Sequence, residues 1–452
     1  MPEGYLRVRH GSMTESNGLL VLSAVAFMIA ARPTSPMTVL YPILGLLLCG
    51  FAMASLAGSN HILPLRWSPE ITATGLLIVS AFVAVADPRV ARVPGGGSLF
   101  GLWYGAVAAW FVLGVASVWI IERWPFMIWW GAAISLATTA FLGISLVQST
   151  PEPNIDVWRL HHAAADHLAE GDSPYRDLAV RDDSPVASEN QTIDGYPYPP
   201  VTLIAYALGS WVGDARWASL GGWLIVLSAL ISIVLRQRSR VAGVALLFVV
   251  AMQPGWPFML EFSWTEPITL AFFAVSLASW NRHPIASSVF LGLAVASKQY
   301  MAVAILFLVF SSVDRKTMRL AVSTGVAGLT FVPFLAIDPS GLWQSVVEFF
   351  LTVPPRPDGS NLVGLLASTG VVWNPHTILT VFVPSVVTVV LARKLHGSPL
   401  NLAMSMAIVL SVMFFLGTQA FGNYWFLVAM ILVLGLATDR DLIDVRVEAT
   451  DG

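Results

Sequence analysis

The sequence predicts an all-α polytopic membrane protein of about fourteen transmembrane helices, and three observations carry that prediction. Of 452 residues, 56% are hydrophobic and only 11% charged. Soluble domains carry about 25% charged residues, so a core solvated by water on all sides is excluded. Apolar runs approaching the ~20 residues that cross a bilayer recur along the chain. Charge is concentrated instead in one stretch, 149–196, which holds ten of the 27 acidic residues and three of the eight histidines. A net charge of −3 leaves no basic field for a nucleic-acid backbone, so nucleic acid is not an expected partner. The single cysteine, Cys49, cannot form an intrachain disulfide and says nothing about redox compartment.

The first run, 18–32, follows Arg7 and Arg9 as a signal peptide would, but it lacks a clear small-residue cleavage site and reads as a retained span. Runs at 37–57, 70–87, 99–121 and 126–148 follow it. Beyond the polar stretch come 216–235, 241–259, 266–281, 284–297, 299–313, 319–337, 376–392, 399–417 and 423–437. The clusters Arg236/Arg238/Arg240, Arg282, Arg315/Lys316/Arg319, Arg393/Lys394 and Arg440 fall on one side if 216–235 crosses once, and the positive-inside rule makes that side the cytoplasm. Both termini are then cytoplasmic, while 149–215, 261–266, 338–375 and 418–422 face outward. Arg7, Arg9, Arg66 and Arg123 agree with this parity, whereas Arg89 and Arg92 oppose it. Residues 197–212 are apolar enough to cross, but crossing would export the Arg236 cluster. A helix lying at or dipping into the outer interface is expected there.

Within the outer loop, 154–170 has helical spacing, with Asn154 as a candidate N-cap and Gly171 as its stop. Asp156, Arg159/Leu160, Ala163 and His167 are expected on one face and Trp158 at an interfacial position. The turn-forming run Gly171-Asp172-Ser173-Pro174-Tyr175 follows, then Gly195-Tyr196-Pro197-Tyr198-Pro199-Pro200, whose prolines fix an extended lead into the next helix.

A span, an Asp just beyond it, a short helix, Gly-Asp-x-Pro-Tyr and then Tyr-Pro-Tyr-Pro-Pro before an apolar segment resembles the GT-C superfamily of polyprenyl-phosphate-dependent glycosyltransferases, most nearly its bacterial mannosyltransferase-like branch. Trp264-Thr265-Glu266-Pro267, Ser297-Lys298-Gln299-Tyr300 and Phe421-Gly422-Asn423-Tyr424-Trp425 fit the same pattern. The resemblance covers about 126–452 and lies in order and topology. Residues 1–125, with four additional helices, depart from it. The chain thus divides into an N-terminal membrane region 1–125 of unassigned role, a GT-C-like helical bundle 126–438, and a short polar cytoplasmic tail 439–452, expected to be disordered. The resemblance implies a bacterial plasma-membrane enzyme with its site on the extracytoplasmic face, a polyprenyl-phosphate sugar donor, mannose as the default sugar, a glycan or glycolipid acceptor, contact with membrane lipid, and no cofactor.

Sugar transfer from a lipid phosphate needs a carboxylate to take the acceptor's proton and cationic or hydrogen-bonding groups around the leaving phosphate. Asp156 is expected to be that base, by the resemblance and by its position at the mouth of a span; otherwise it is a solvated charge favoured by the helix dipole. Lys298, ionisable within an apolar stretch, is expected to meet the phosphate, the bland alternative being a lysine that snorkels from a helix end. Arg356, in Pro354-Pro355-Arg356-Pro357, shares that role or is a plain loop arginine. Glu266, ahead of Glu261, is expected to orient sugar hydroxyls unless it is an interface charge. Tyr175 and Tyr198 stack on sugar, line the lipid groove, or belong to the aromatic belt. His162, on a face with Asp166, is expected to touch substrate. With His161 and His167 nearby it invites a metal reading, but a site needs three or four convergent ligands and no metal is expected. The absence of a P-loop or dinucleotide fingerprint, Gly95-Gly96-Gly97 lacking the Lys-Ser/Thr ending, favours a lipid-linked donor. The competing class is a multi-span lipid or solute transporter or flippase with the acidic loop as gate. It is disfavoured because ionisable groups are sparse away from the outer face.

Overall fold

A computed structural model describes residue 45 and residues 69–86, 97–121, 123–153, 155–181, 192–237, 240–375, 377–395 and 397–439. The expected span 18–32, the span 37–57 apart from residue 45, Cys49, the arginines Arg7, Arg9, Arg66, Arg89, Arg92, Arg238 and Arg440, the candidate cap Asn154 and the tail after Asp439 lie outside these residues.

Helices form where apolar runs predict them, with ends shifted by a few residues. The first three are α1 (Pro69–Ala86), α2 (Gly97–Ile120) and α3 (Met127–Ser149). The polar stretch 149–215 contributes α4 (Asp156–Glu170), a two-residue antiparallel pairing of β1 (Val180–Arg181) with β2 (Thr192–Ile193), and α5 (Pro200–Trp211). Then follow α6 (Arg216–Val234), α7 (Arg240–Ala251), α8 (Gly255–Glu261), α9 (Glu266–Ser279) and α10 (Pro284–Val295). A 3₁₀ turn at Gln299–Ala302 leads into α11 (Val303–Phe310), and α12 (Lys316–Ile337) follows. Proline marks the first turn of α5, α9 and α10, where its missing N–H would be unpaired in any case.

The stretch 338–375, read from sequence only as an outer loop, carries α13 (Pro339–Trp343), a π turn at Gln344–Glu348, α14 (Phe349–Thr352) and α15 (Leu362–Ser368). The chain closes with α16 (Thr377–Lys394), α17 (Pro399–Leu416) and α18 (Gly422–Ala437).

Among the described residues, five helices are long and apolar enough to cross a membrane: α2, α3, α6, α12 and α17. The bent pair α7 and α8 makes up to six, while α9, α10 and α18 are apolar but shorter. The bundle's outer surface is itself apolar, with Phe82, Trp129, Leu329 and Phe382 each more than half exposed. Surfaces of this kind are costly in water and cheap in lipid, so the architecture is that of an all-α, membrane-embedded chain. One continuous apolar core runs from Leu77 in α1 through Trp103 and Trp223 to Phe426 and Leu434 in α18. Helix α18 is buried on every side, as its uniformly apolar sequence requires. Close helix approach depends on glycine: a Cβ on Gly222 of α6 would lie 2.9 Å from the Pro267 carbonyl of α9.

Two local features position the site. The α7–α8 pair bends by 42° at a break before Gly255. The break is closed by hydrogen bonds, the Trp256 indole N–H donating to the Ala251 carbonyl at 3.2 Å and the Gly255 N–H to Gln253 Oε1. In α4 the buried face is Leu160, His161, Ala164 and Ala165, so of the residues expected to share a face only Leu160 is buried, and Ala163 and His167 are partly exposed. The N-cap is Ile155, without a side-chain cap, and Gly171 closes the helix in the left-handed conformation at φ 85° as expected.

Candidate functional site

The end of the bundle that carries the 149–215 stretch is organised from α4 inward. His161 faces the core, its ring stacked on Tyr206 of α5 with centroids 3.7 Å apart and planes within 9°. Its Nε2 lies 3.0 Å from the Ser263 carbonyl, which can only accept, so Nε2 carries the proton and Nδ1 accepts from the Tyr196 hydroxyl at 2.8 Å. Burial, reinforced by the nearby positive charge of Lys298, lowers the His161 pKa to about 3 against the pull of the Ser263 hydrogen bond, and the imidazole is neutral. Ser263 has φ 53°, in the left-handed region that costs a non-glycine residue about 1 kcal/mol. The Tyr206 hydroxyl donates to the next carbonyl, Trp264 O, at 2.8 Å. Two consecutive carbonyls of the α8–α9 junction, Ser263 and Trp264, are thus fixed by α4 and α5, and Glu266 lies two residues further on.

Glu266, fully buried in the first turn of α9, has Oε1 within 3.6 Å of Lys298 Nζ. The same oxygen accepts from Asn423 Nδ2 at 3.0 Å and the Tyr300 hydroxyl at 3.3 Å, while Oε2 has no hydrogen-bond partner among the described residues. Lys298, in the break between α10 and the 3₁₀ turn, stands 4.4 Å over the Tyr198 ring and 5.6 Å from the Tyr300 ring. The two residues singled out in sequence as separate substrate contacts are therefore each other's ion-pair partners. Their separation exceeds the 2.7–2.9 Å of a tight charge-assisted bond.

Tyr198 packs against this pair. Burial, then the charges of Asp156 and Glu266 among its neighbours, hold the Tyr198 phenol well above its ordinary pKa, so it is a permanent hydrogen-bond donor. Asp156 itself is half-buried in the first turn of α4, where Oδ1 accepts from the Val157 N–H at 2.7 Å. Tyr175 is buried behind this group and donates to the Tyr198 carbonyl at 3.3 Å. A Cβ on Gly195 would meet the Tyr175 carbonyl at 2.6 Å, which ties this tyrosine-rich turn to glycine at that position.

Arg356 lies at the margin. Its guanidinium is bidentate to Asp358 at 2.9 Å and sits 4.7 Å over Phe421, two residues before the Asn423 that contacts Glu266. His162 is not in the group: it packs on Trp158 at 4.3 Å and accepts from the Ala215 N–H at 3.3 Å, while its neighbour His161 points inward. Among the described residues no three of His, Cys, Asp and Glu come together to hold a metal ion.

Two polar clusters escape a reading of the sequence. Arg216, fully buried at the start of α6, donates to both Asp214 oxygens and to the Thr150 and Val147 carbonyls, and lies 3.6 Å from Glu261. Asp338 accepts from Arg176 at 2.7 Å, from Ser173 at 3.1 Å and from the Gly341 N–H at 2.9 Å. Although burial opposes it, the Gly341, Ser173 and Ser340 hydrogen bonds and the Arg176 charge hold the Asp338 carboxyl below the usual range. Only an acidic residue after an apolar run hinted at either.

Compared with protein-family models, curated proteins and solved structures, the chain matches none of them.

Proposed function

We propose that the chain is an inverting glycosyltransferase with a GT-C-like bundle of about fourteen spans, acting on the extracytoplasmic face of a bacterial plasma membrane. It takes a hexose, mannose by default, from a polyprenyl-phosphate donor and delivers it to a glycan or glycolipid acceptor. The observation that carries this reading is the buried pairing of Lys298 with Glu266 against the Tyr198 ring, in the part of the fold that also receives the 149–215 stretch with Asp156.

In the proposed reaction Asp156 takes the proton of the acceptor hydroxyl as that oxygen attacks the anomeric carbon. The bond from that carbon to the phosphate oxygen breaks, its electron pair leaves with the polyprenyl phosphate, and the configuration inverts because a single displacement has occurred. Lys298 stabilises the departing phosphate, for which its loose 3.6 Å contact with Glu266 leaves donors unspent. Glu266 Oε2, without a hydrogen-bond partner among the described residues, suits a sugar hydroxyl, and Tyr198 supplies an aromatic face and a neutral donor. Arg356 and Tyr175 act from the margin by charge and packing. The direct test is incubation of the purified protein with a panel of radiolabelled polyprenyl-phosphate sugars and membrane extract. Label transfer from one donor supports the reading; donor-independent movement of lipid across a vesicle, with no transfer, replaces it by the transporter.

A further inference from the structure

The chain around Lys298 is held by contacts that the proposed chemistry does not name. Helix α10 ends at Val295, Lys298 is extended at φ −150° and ψ 131°, and the 3₁₀ turn starts at Gln299. A helix end leaves carbonyls unpaired and a helix start leaves N–H groups unpaired. Here the two meet: the Val201 N–H, in the first turn of α5, donates to the Ala296 carbonyl at 3.2 Å, and the Thr202 hydroxyl donates to the Ser297 carbonyl at 2.6 Å. Gln299 Nε2 then donates to the Pro197 carbonyl at 3.1 Å and to the Val346 carbonyl at 3.0 Å, which spends both protons of its amide.

Gln299 follows Lys298 in the chain and Pro197 precedes Tyr198, so this hydrogen bond brackets the 4.4 Å contact of Lys298 Nζ with the Tyr198 ring. Holding the Pro197 carbonyl fixes where Tyr198 sits beneath the ammonium. The bond to Val346 adds the π turn, whose Ser345 hydroxyl donates to the Tyr175 carbonyl at 2.9 Å. The capping has a second effect. A lysine near a helix C-terminus hydrogen-bonds the last carbonyls, and its flexible four-carbon stem lets it reach back to them. Because the Ala296, Ser297 and Pro197 carbonyls each already accept a hydrogen bond, they compete weakly for the ammonium, which faces Glu266 and Tyr198 instead.

We propose that Gln299 and Thr202 are positioning residues for the lysine that meets the donor phosphate: Gln299 seats Tyr198 beneath Lys298, and the two together occupy the carbonyls onto which the ammonium would otherwise fold. Groups that act on a substrate need neighbours that fix their geometry in this way. The phosphate role of Lys298 on which this rests belongs to the sugar-transfer reading, whereas the seating of Lys298 on Tyr198 is a property of the fold that can be measured without any reaction.

The test uses the full chain in phosphatidylcholine nanodiscs and two variants: Gln299→Met, which keeps the length and removes the amide, and Thr202→Val, which removes the hydroxyl. Transfer is measured with the panel of radiolabelled polyprenyl-phosphate sugars and membrane extract. Each variant is expected to raise the donor KM about tenfold while kcat stays within about twofold, and Gln299→Asn to restore part of the donor affinity. A role in folding alone would lower yield and kcat and leave the donor KM where it was. Lys298 is one of three lysines in the chain, so isotope-labelled lysine NMR resolves its ε-carbon, identified by loss of the signal in Lys298→Arg. The Tyr198 ring is expected to set that signal apart from those of Lys316 and Lys394, and both variants to return it toward them. A signal that stays in place in both variants, or an unchanged donor KM where the parent transfers sugar, overturns the proposal. A parent that transfers no label overturns the sugar-transfer reading instead, and the lysine signal then decides the positioning alone.

Discussion

His161 and Tyr206 lie face to face at 3.7 Å, and through this stack α4 and α5 grip the turn that presents Glu266. His161 Nε2 holds the Ser263 carbonyl, and the Tyr206 hydroxyl holds that of Trp264. The catalytic proposal therefore depends on residues that touch no substrate, and its consequences separate into chemistry and support.

Replacing Asp156 with Asn is expected to lower sugar transfer by about 10²–10⁴-fold, the range a positioned general base contributes. Asp156 is half-buried at a helix start, so expression and thermal stability should change little. Full transfer by the Asn variant in the radiolabel assay would remove Asp156 as the base.

Lys298→Met should raise the apparent KM for donor lipid more than that for acceptor. It also strands Glu266 as a buried charge, so the single variant is expected to lose about 3–5 kcal/mol of stability. Adding Glu266→Gln should recover most of the stability but not donor use. If the double variant regains donor affinity, Lys298 serves packing alone.

The pH dependence follows from His161. Its pKa is 6.5 in the unfolded chain and about 3 in the fold, so between those values the unfolded state binds a proton that the native state does not. Stability contributed by neutral His161 is present above pH 6.5 and is lost as pH falls toward 3, at about 1.4 kcal/mol per unit at most. His161→Gln should be less stable at neutral pH and show a shallower acid slope in thermal unfolding; parallel slopes would refute the assignment.

Arg216→Lys cannot reproduce the fork of hydrogen bonds to Asp214, Thr150 and Val147, and it leaves Glu261 poorly compensated. A loss of about 3–5 kcal/mol is expected, seen as reduced yield in detergent. Arg216→Lys at parental yield and unfolding temperature would show that these contacts contribute nothing.

The helices were legible because a membrane span needs only length and apolarity, and 126–148 or 216–235 state both outright. The site was legible in part. Asp156, Tyr198, Lys298 and Glu266 stand out as polar residues bordering apolar runs, but their pairing does not: Glu266 and Lys298 meet only because α9 and α10 form an antiparallel hairpin. Which of His161 and His162 faces inward depends on the rotation of α4, set by Tyr206 and Ser263 far along the chain. Arg216 reads as the ordinary edge of a span, since burial by Asp214 and the end of α3 leaves no local trace. The turns of 338–375 are too short for periodicity to register.

The kink between α7 and α8 has a mechanical consequence. Because the indole of Trp256 and the amide of Gln253 stitch both lips of the gap from within the apolar interior, the elbow is a welded bracket rather than a pivot. The same bracket holds Glu261 where it accepts from the Thr150 hydroxyl, so the far side of the elbow is moored to the end of α3.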